Sequence, residues 1–281
     1  MQKVLFPTDF SENAKKILPL AADIAVRNGA ALEVLHVNVM ATYVPVMPEM
    51  YTLPLAEINE YEMSAANDLK NLKRDILSDG SYKDLPLETR IEAGTLHSTL
   101  RRLAIEDGCD LVVMGTKGAS NATEFFIGSN TERVIRSAVC PVLAVPEGNT
   151  SFAPKTILVP TTLKDDQKVV FNTVADWQKQ YGFEVKVLYL NNPGGFQNNE
   201  EAEAALEKFC KMAGLKNVDL YTASNVSNEE QAILQFASQE QADMIVMGTH
   251  QRRGISHMLF GSIAEDTANH SKIPVLCVPV K

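Results

Sequence analysis

The residues of this chain that could do chemistry follow short apolar segments typical of buried β-strands. A Pro-Thr-Asp sequence follows the first such segment, at Pro7, Thr8 and Asp9. The carboxylate of Asp9 could accept hydrogen bonds from the hydroxyls of a ribose, as acidic residues do in other nucleotide-binding folds. An aspartate directly after a strand could instead cap the next helix, so the sequence leaves both roles open.

A glycine pattern follows a later apolar segment. Its spacing is G-x2-G-x9-G-S, and with the residues beside it the pattern comprises Met114, Gly115, Gly118, Gly128, Ser129, Asn130 and Thr131. Glycines let a backbone approach a phosphate closely and present its N–H groups to it. Gly128 precedes a predicted helix, whose free N–H groups and dipole attract anions. The alternative is that the glycines only form tight turns between strands and helices.

These candidate residues belong to one of two copies of a repeated pattern. Segments 3–10, 34–37, 109–118 and 141–146 recur in the same order at 155–163, 187–190, 242–251 and 274–279. The offset between copies is 153 residues for the first two pairs and 133 for the last two, so the first copy has about twenty extra residues, which we assign to 40–54. We call residues 1–146 the first copy and 155–281 the second copy; the linker between them is 147–154.

Strand-like and helix-like segments alternate in each copy. In the first copy, Ser11 and Gly29 mark the start and end of one amphipathic helix, and further helices are predicted over 57–79, 96–107 and 129–138. Alternation of this kind favours right-handed crossovers and a doubly wound parallel sheet. Ligands of such sheets bind beyond the carboxyl ends of the strands, which is where the candidate residues lie.

The combination of these motifs resembles the universal stress protein family over nearly the whole chain. In that family, G-x2-G-x9-G-[ST] after an apolar strand ending in Met-Gly is the ATP-binding signature, and the Pro-Thr-Asp opening is typical. The resemblance implies an α/β chain of two tandem, doubly wound, Rossmann-like domains of the adenine-nucleotide α-hydrolase type, over 1–146 and 155–281. It also implies ATP or another adenine nucleotide, with or without Mg²⁺, as the ligand.

The resemblance further assigns contacts to individual residues. It places Pro7, Thr8 and Asp9 around the adenosine, and Val37 against the adenine through its backbone. It assigns the ribose and the phosphates to the glycine-pattern residues Met114, Gly115, Gly118, Gly128, Ser129, Asn130 and Thr131. No catalytic residue and no protein-held metal follow from it.

The second copy departs from the pattern at two positions. Thr162 replaces the aspartate, and Gln251 replaces the second glycine. A glutamine side chain would project where a phosphate should lie, and a threonine lacks the carboxylate for the ribose. We therefore expect the second site to have lost ATP binding. The basic loop 250–254 could bind another anion or could simply be solvated.

Composition and charge exclude other classes of function. The formal net charge of −9 argues against nucleic acid and anionic membranes as partners, because such binders need a basic face. No apolar run of 18 residues and no signal-peptide pattern is present, and no Cys or His has metal-site spacing. We expect a cytoplasmic protein with four buried, reduced thiols.

Three hypotheses of function remain. The first is a nucleotide-binding module of stress-response regulation; the second is a slow ATPase or nucleotidyl-transfer enzyme; the third is a scaffold without nucleotide. Apart from Asp9, no general base or metal pair lies near the glycines, which favours the first hypothesis. The methionines within 40–50 could contact an unknown protein partner or cover the cleft.

The last strand of each copy predicts the assembly. PVLAVP at 141–146 and PVLCVP at 274–279 would each leave an exposed apolar edge. We predict that these strands pair in antiparallel fashion and form a pseudo-dimer within one chain. The alternative is that the copies pack through helices and cover their edges with a second chain, as a homodimer.

Overall fold

A computed structural model of the chain describes residues 1–39, 55–117, 129–163, 167–191, 199–224, 226–250 and 263–280. The predicted insertion at 40–54 and the basic loop 250–254 therefore lie outside the described residues, apart from the backbone of residue 250. Strands and helices alternate in the first copy, in the order β1 (Lys3–Pro7), α1 (Glu12–Asn28), β2 (Ala31–Asn38), α2 (Leu55–Ser78), β3 (Leu87–Ala93), α3 (Leu96–Glu106), β4 (Leu111–Gly115), α4 (Ser129–Ser137) and β5 (Val142–Val145).

The second copy repeats this alternation. Its elements are β6 (Thr156–Thr161), α5 (Lys168–Tyr181), β7 (Glu184–Asn191), α6 (Asn199–Ala213), β8 (Val218–Ser224), α7 (Glu229–Gln239), β9 (Met244–His250), α8 (Ile263–His270) and β10 (Val275–Val280). The predicted helices of the first copy are confirmed, with ends that differ by one or two residues. Differences of this size are usual, because helix ends fray.

Helix α1 shows how the local sequence sets an element. The Ser11 side chain accepts a hydrogen bond from the N–H of Ala14 at 3.2 Å, which satisfies one of the free donors of the first turn. Gly29 ends the helix with a φ of 61°, a left-handed conformation that favours glycine. Both positions were predicted from the sequence.

All strands join one sheet with the order β3-β2-β1-β4-β5-β10-β9-β6-β7-β8. Pairs within each copy are parallel, whereas β5 and β10 pair in antiparallel fashion. Leu143 lies opposite Leu276, and the two leucines occupy equivalent positions of the repeat. The predicted pseudo-dimer is confirmed, and its pseudo-twofold axis passes through this pair.

Helices cover the sheet on both faces, as a doubly wound fold requires. Helices α1, α2, α5 and α6 bury residues such as Ile17 and Phe171 in one hydrophobic layer. Helices α3, α4, α7 and α8 bury residues such as Leu103 and Ile233 in the other. Because the central strands are enclosed on both faces, their sequences are apolar runs rather than alternating patterns. Burial in these two layers is the main source of stability.

The copies also contact each other on both faces of the sheet. On one face, the Asn28 side-chain amide donates to the Tyr181 hydroxyl at 2.7 Å, and these residues again occupy equivalent positions. On the other face, Arg136 of α4 binds the buried carboxylate of Glu265 in α8, with an Nη2–Oε2 distance of 2.6 Å. The linker residue Phe152 packs edge-on against Trp177 and adds an aromatic contact. The junction is thus a continuous core rather than a flexible hinge.

Candidate functional site

The sheet order creates a switch point in each copy. From β1 the chain moves outward to β2 and β3, and it then returns to the other side of β1 as β4. At such a point the connections diverge, and a cleft opens beyond the carboxyl ends of the two strands. Residues 7–9 begin at the last residue of β1, and residues 115–117 begin at the last residue of β4. We call these segments, with Val37 and the start of α4, the strand-end site.

The Pro-Thr-Asp segment forms a tight turn between β1 and α1. The buried Thr8 donates its N–H to the carbonyl of Leu35 at 2.8 Å, and its hydroxyl accepts from the N–H of Phe10 at 3.0 Å. Asp9 is exposed, and its Oδ1 accepts from the N–H of Ser11 at 3.0 Å. Since Ser11 caps the helix, the alternative role of Asp9 as the helix cap is wrong.

The second copy makes the same turn without the aspartate. The hydroxyl of Thr161 accepts from the N–H of Leu163 at 3.1 Å, as Thr8 does in the first copy. Phe10 and Leu163 share a positive φ, 61° and 59°. The threonine therefore holds this turn in both copies, and the turn does not require a carboxylate at position 9.

A glutamine occupies the equivalent site of the second copy. The side chain of Gln167 bonds the hydroxyl of Thr161 and accepts from the N–H of Thr162 at 3.3 Å. Its amide also donates to the Thr162 hydroxyl at 3.4 Å. The equivalent residue of the first copy is Ala14, which has no polar side chain. Gln167 thus adds side-chain hydrogen bonds at the strand end that Ala14 cannot make in the first copy, a difference that the sequence comparison missed.

Gly115 ends β4, directly after the buried Met114, in a crowded position. A Cβ atom there would lie 3.0 Å from both Asn13 and Ile17 of α1. Gly248, its equivalent, is similarly crowded, with Val170 and Val280 at 3.2 Å. Since the second copy keeps this glycine while it loses the next one, the structure assigns Gly115 a packing role. Gly118 and Gly128 lie outside the described residues.

The start of the glycine pattern is hydrogen-bonded to two helices. The Asn13 amide donates to the carbonyl of Lys117 at 2.8 Å, and the buried Thr131 hydroxyl donates to the carbonyl of Gly115 at 3.0 Å. The second bond joins the first turn of α4 to the end of β4. Helix α4 begins at Ser129, as predicted, and Asn130 is exposed there. The free N–H groups of this helix start consequently lie beside the switch point.

Asn13 is a site residue that the sequence analysis missed. Among the described residues, its buried Oδ1 has no hydrogen-bond partner. An unsatisfied buried acceptor costs about 1–3 kcal/mol, so a donor in or near the strand-end site would stabilise it. Its place in the first turn of α1, four residues after Asp9, is the signal that could have identified it.

Val37 faces the same space through its backbone. The carbonyl of Leu35 points toward β1, where it accepts from Thr8. Backbone groups two residues apart on a strand point the same way, so those of Val37 also point toward β1. Because β1 has already turned away at Thr8, the backbone of Val37 faces the region beyond the strand end.

His36 is a second residue that the sequence analysis left without a role. It is buried and ties the end of β1 to α2: its Nδ1 lies 2.9 Å from the carbonyl of Thr8, and its Nε2 lies 3.1 Å from the hydroxyl of Tyr61. A carbonyl only accepts, so Nδ1 donates and, in the neutral ring, Nε2 accepts from Tyr61. The ring also stacks on Phe10 at 4.5 Å. His36 therefore links Thr8 of the strand-end site to Tyr61 of α2.

The described residues also bear on metal binding, on the cysteines and on membrane insertion. No three His, Cys, Asp or Glu side chains there converge in a way that could hold a metal ion. The four cysteines are buried, as predicted, and are free in the structure. In these ranges, no helix has the length and apolar composition needed to cross a membrane.

Comparisons with known proteins agree with the fold and the repeat. The chain is 31% identical over 145 residues to a putative universal stress protein of Staphylococcus aureus strain USA300, a match that covers 51% of this chain and 83% of that protein. It superimposes on the crystal structure of a universal stress protein from Archaeoglobus fulgidus with a TM-score of 0.77 and 20% identity, over 99% of this chain and 98% of that chain. A putative universal stress protein from Pseudomonas aeruginosa gives a TM-score of 0.64 at 16% identity, over 100% and 94% of the two chains.

The family comparison covers both copies. A sequence model described as the universal stress protein family matches residues 1–146 and again 154–279. Both halves of the repeat therefore match the family model. The chain belongs to the universal stress protein family, in a tandem form with two copies in one polypeptide.

Proposed function

We propose that the first copy binds ATP or another adenine nucleotide at the strand-end site, and that the protein is a regulatory binding module rather than a dedicated catalyst. One observation carries this proposal. The two copies make the same turn through Thr8 and Thr161, yet only the first copy adds an exposed carboxylate there, at Asp9. A charge that the fold does not require points to a ligand.

The surrounding groups suit the parts of a nucleotide. The Asp9 carboxylate would accept from the ribose hydroxyls, and the backbone of Val37 would meet the adenine beside Pro7 and Thr8. The N–H groups of the glycine pattern and of the α4 start would receive the phosphates. Mg²⁺, where present, would be held mainly by the phosphates, since no described cluster forms a metal cage.

The cheapest test of the proposal is the identity of any nucleotide that copurifies. Protein denatured after purification should release an adenine nucleotide, identified by its mass, in an amount that does not exceed one per chain. Release of no nucleotide, together with no binding of added ATP, ADP or AMP, would favour the scaffold. Turnover of the bound nucleotide by the purified protein would favour the enzyme instead.

We expect one nucleotide per chain. In the second copy, Gln167 bonds the strand-end threonines and Thr162 replaces the carboxylate, so that copy lacks the charge and its strand-end groups already have a side-chain partner. Calorimetric titration of the full chain with ATP should give a stoichiometry near one. Two equivalent sites would contradict the loss of binding in the second copy.

Asp9→Ala should weaken nucleotide binding by about 1.5–3 kcal/mol, because a hydrogen-bonding charge is lost while the threonine still holds the turn. The thermal midpoint of the apo protein should change little, since Asp9 is exposed. Thr162→Ala, at the equivalent position, is the matched control and should leave the affinity unchanged. Equal affinity of Asp9→Ala and wild type would restrict Asp9 to its turn with Ser11.

A further inference from the structure

Two of the four cysteines lie at the amino ends of neighbouring strands. In the parallel pair β4–β5, Val112 lies opposite Val142, and the N–H of Val112 donates to the carbonyl of Pro141 at 2.9 Å. Cys109 precedes Val112 by three residues, and Cys140 precedes Val142 by two. Extended back to the cysteines, this register leaves them one residue out of direct opposition. Paired strands lie about 4.8 Å apart and rise about 3.3 Å per residue, so this offset is compatible with the Cα separation of about 4.4–6.8 Å that disulfides need.

The side chains of this pair share one environment. Both are buried in the layer between the sheet and helices α3 and α4, with 6% and 7% exposure. A hydrogen bond between the two thiols lowers the pKa of Cys109, and the same bond, with burial, raises the pKa of Cys140. The lowered pKa favours the thiolate of Cys109 over that of Cys140.

A small crevice reaches one member of the pair, Cys140. Cys140 lines it together with His97, Ser137 and the exposed Arg101, where α3 and α4 meet. Its volume is about 10 Å³, comparable to the space that a single water molecule occupies. Because both sulfur atoms are buried, oxidation of the pair requires α3 and α4 to separate far enough to admit the oxidant.

We propose that Cys109 and Cys140 form a redox-active pair, which a hydroperoxide oxidises to an intrachain disulfide. The Cys109 thiolate attacks the peroxide; an S–O bond forms, the O–O bond breaks, and the leaving alkoxide or hydroxide takes up a proton. The Cys140 sulfur then attacks the sulfenic acid; the S–S bond forms, the S–O bond breaks, and water leaves with the thiol proton. Two thiols lose two electrons in total, and one peroxide is reduced.

The position of the Cys109–Cys140 disulfide determines which segment of the chain it would enclose. The chain between the two cysteines, residues 110–139, contains β4, the whole glycine pattern and α4. The disulfide would close this segment into a loop at the sheet edge opposite the strand-end site. The second copy has Ala242 and Ile273 at the equivalent positions, so the pair is a property of the first copy alone.

The remaining cysteines are internal controls. Cys210 packs in the layer on the other face, and burial raises its pKa to about 11. Cys277 lies on β10, and burial raises its pKa to about 12. Both should stay reduced under oxidant conditions that convert the pair.

The test treats the reduced, full-length protein with hydrogen peroxide and then alkylates it in denaturant. Two of the four thiols should be lost, and a reductant should restore them. Trypsin places Cys109 in peptide 103–117 and Cys140 in peptide 137–155, and a disulfide-linked species of these two peptides is the expected product. Four free thiols after treatment, or linkage of any other pair, would overturn the proposal.

Single variants assign the roles within the pair. Cys140→Ser should stop at the sulfenic acid, which dimedone would trap on Cys109. Cys109→Ser, with Cys109→Ala as a second variant in case it fails to fold, should give neither the link nor a dimedone adduct on Cys140. Cys210→Ser should form the link as wild type does. Oxidation of Cys210 or Cys277 as fast as Cys109 in the folded protein would also overturn the proposal.

Discussion

A Gly118→Gln variant is expected to lose ATP binding while its fold stays intact. The substitution introduces the residue that stands at the equivalent position of the second copy, Gln251. Its side chain would occupy the space of a phosphate and block the approach of the backbone N–H groups. A loss of at least about 100-fold in affinity, or ~2.7 kcal/mol, should appear in calorimetric titration.

The fold should tolerate this change because the described residues that precede position 118 are held by side chains of two helices. Asn13 holds the carbonyl of Lys117, and Thr131 holds that of Gly115. Circular dichroism and the thermal midpoint should therefore match wild type. Gly118→Ala is the matched control and should bind more tightly than Gly118→Gln. Wild-type affinity in a folded Gly118→Gln protein would show that this glycine serves only the turn.

The reverse substitution separates the two causes of loss in the second copy. Gln251→Gly alone should not create a second site, because Gln167 still engages the strand-end hydroxyls and no carboxylate is present. Adding Thr162→Asp and Gln167→Ala reproduces the first-copy residues at all three positions. A second binding event only in the triple variant would show that the strand end and the loop act together.

A fragment of residues 1–148 is expected to dimerise. Removing the second copy exposes strand β5, whose four residues are all buried in the full chain, as an unpaired edge. Because Leu143 and Leu276 are equivalent residues that lie opposite each other, two copies of the fragment can pair β5 with β5 in the same register. Light scattering after size-exclusion chromatography should report twice the fragment mass. In the full chain this edge is already paired with β10.

A proline substitution in β5 provides the control for dimerisation of the fragment. The carbonyl of Pro141 points to β4, where it accepts from Val112, so the backbone groups of Val142 and Ala144 point to the other side, toward β10. Ala144→Pro removes an outward N–H, which an edge strand tolerates and a paired strand does not. The Ala144→Pro fragment should remain monomeric. A monomeric, stable fragment without the proline would contradict the role that we assign to the β5 edge.

Much of the fold could be predicted because its signals are local. Ser11 and Gly29 delimit α1 through backbone capping, which depends on residues within one helical turn. The pairing of β5 with β10 could be predicted because two apolar edges at the ends of a duplication have few other partners. The assignment of Asp9, Val37 and the glycines to one site remains a prediction about function, but the sheet order places the described ones around one switch point.

The sequence by itself determined the duplication, the α/β class, the family and the loss of two motif residues in the second copy, since each is written in residue type and spacing. Only the tertiary structure decided that Thr8 rather than Asp9 holds the turn, that Gly115 serves packing against α1, and that Gln167 engages the second strand end. It also placed Cys109 and Cys140 in one buried layer, at the amino ends of neighbouring strands. The physical reason is that these roles depend on contacts between elements far apart in the chain, and such contacts exist only after the strands have taken their places in the sheet.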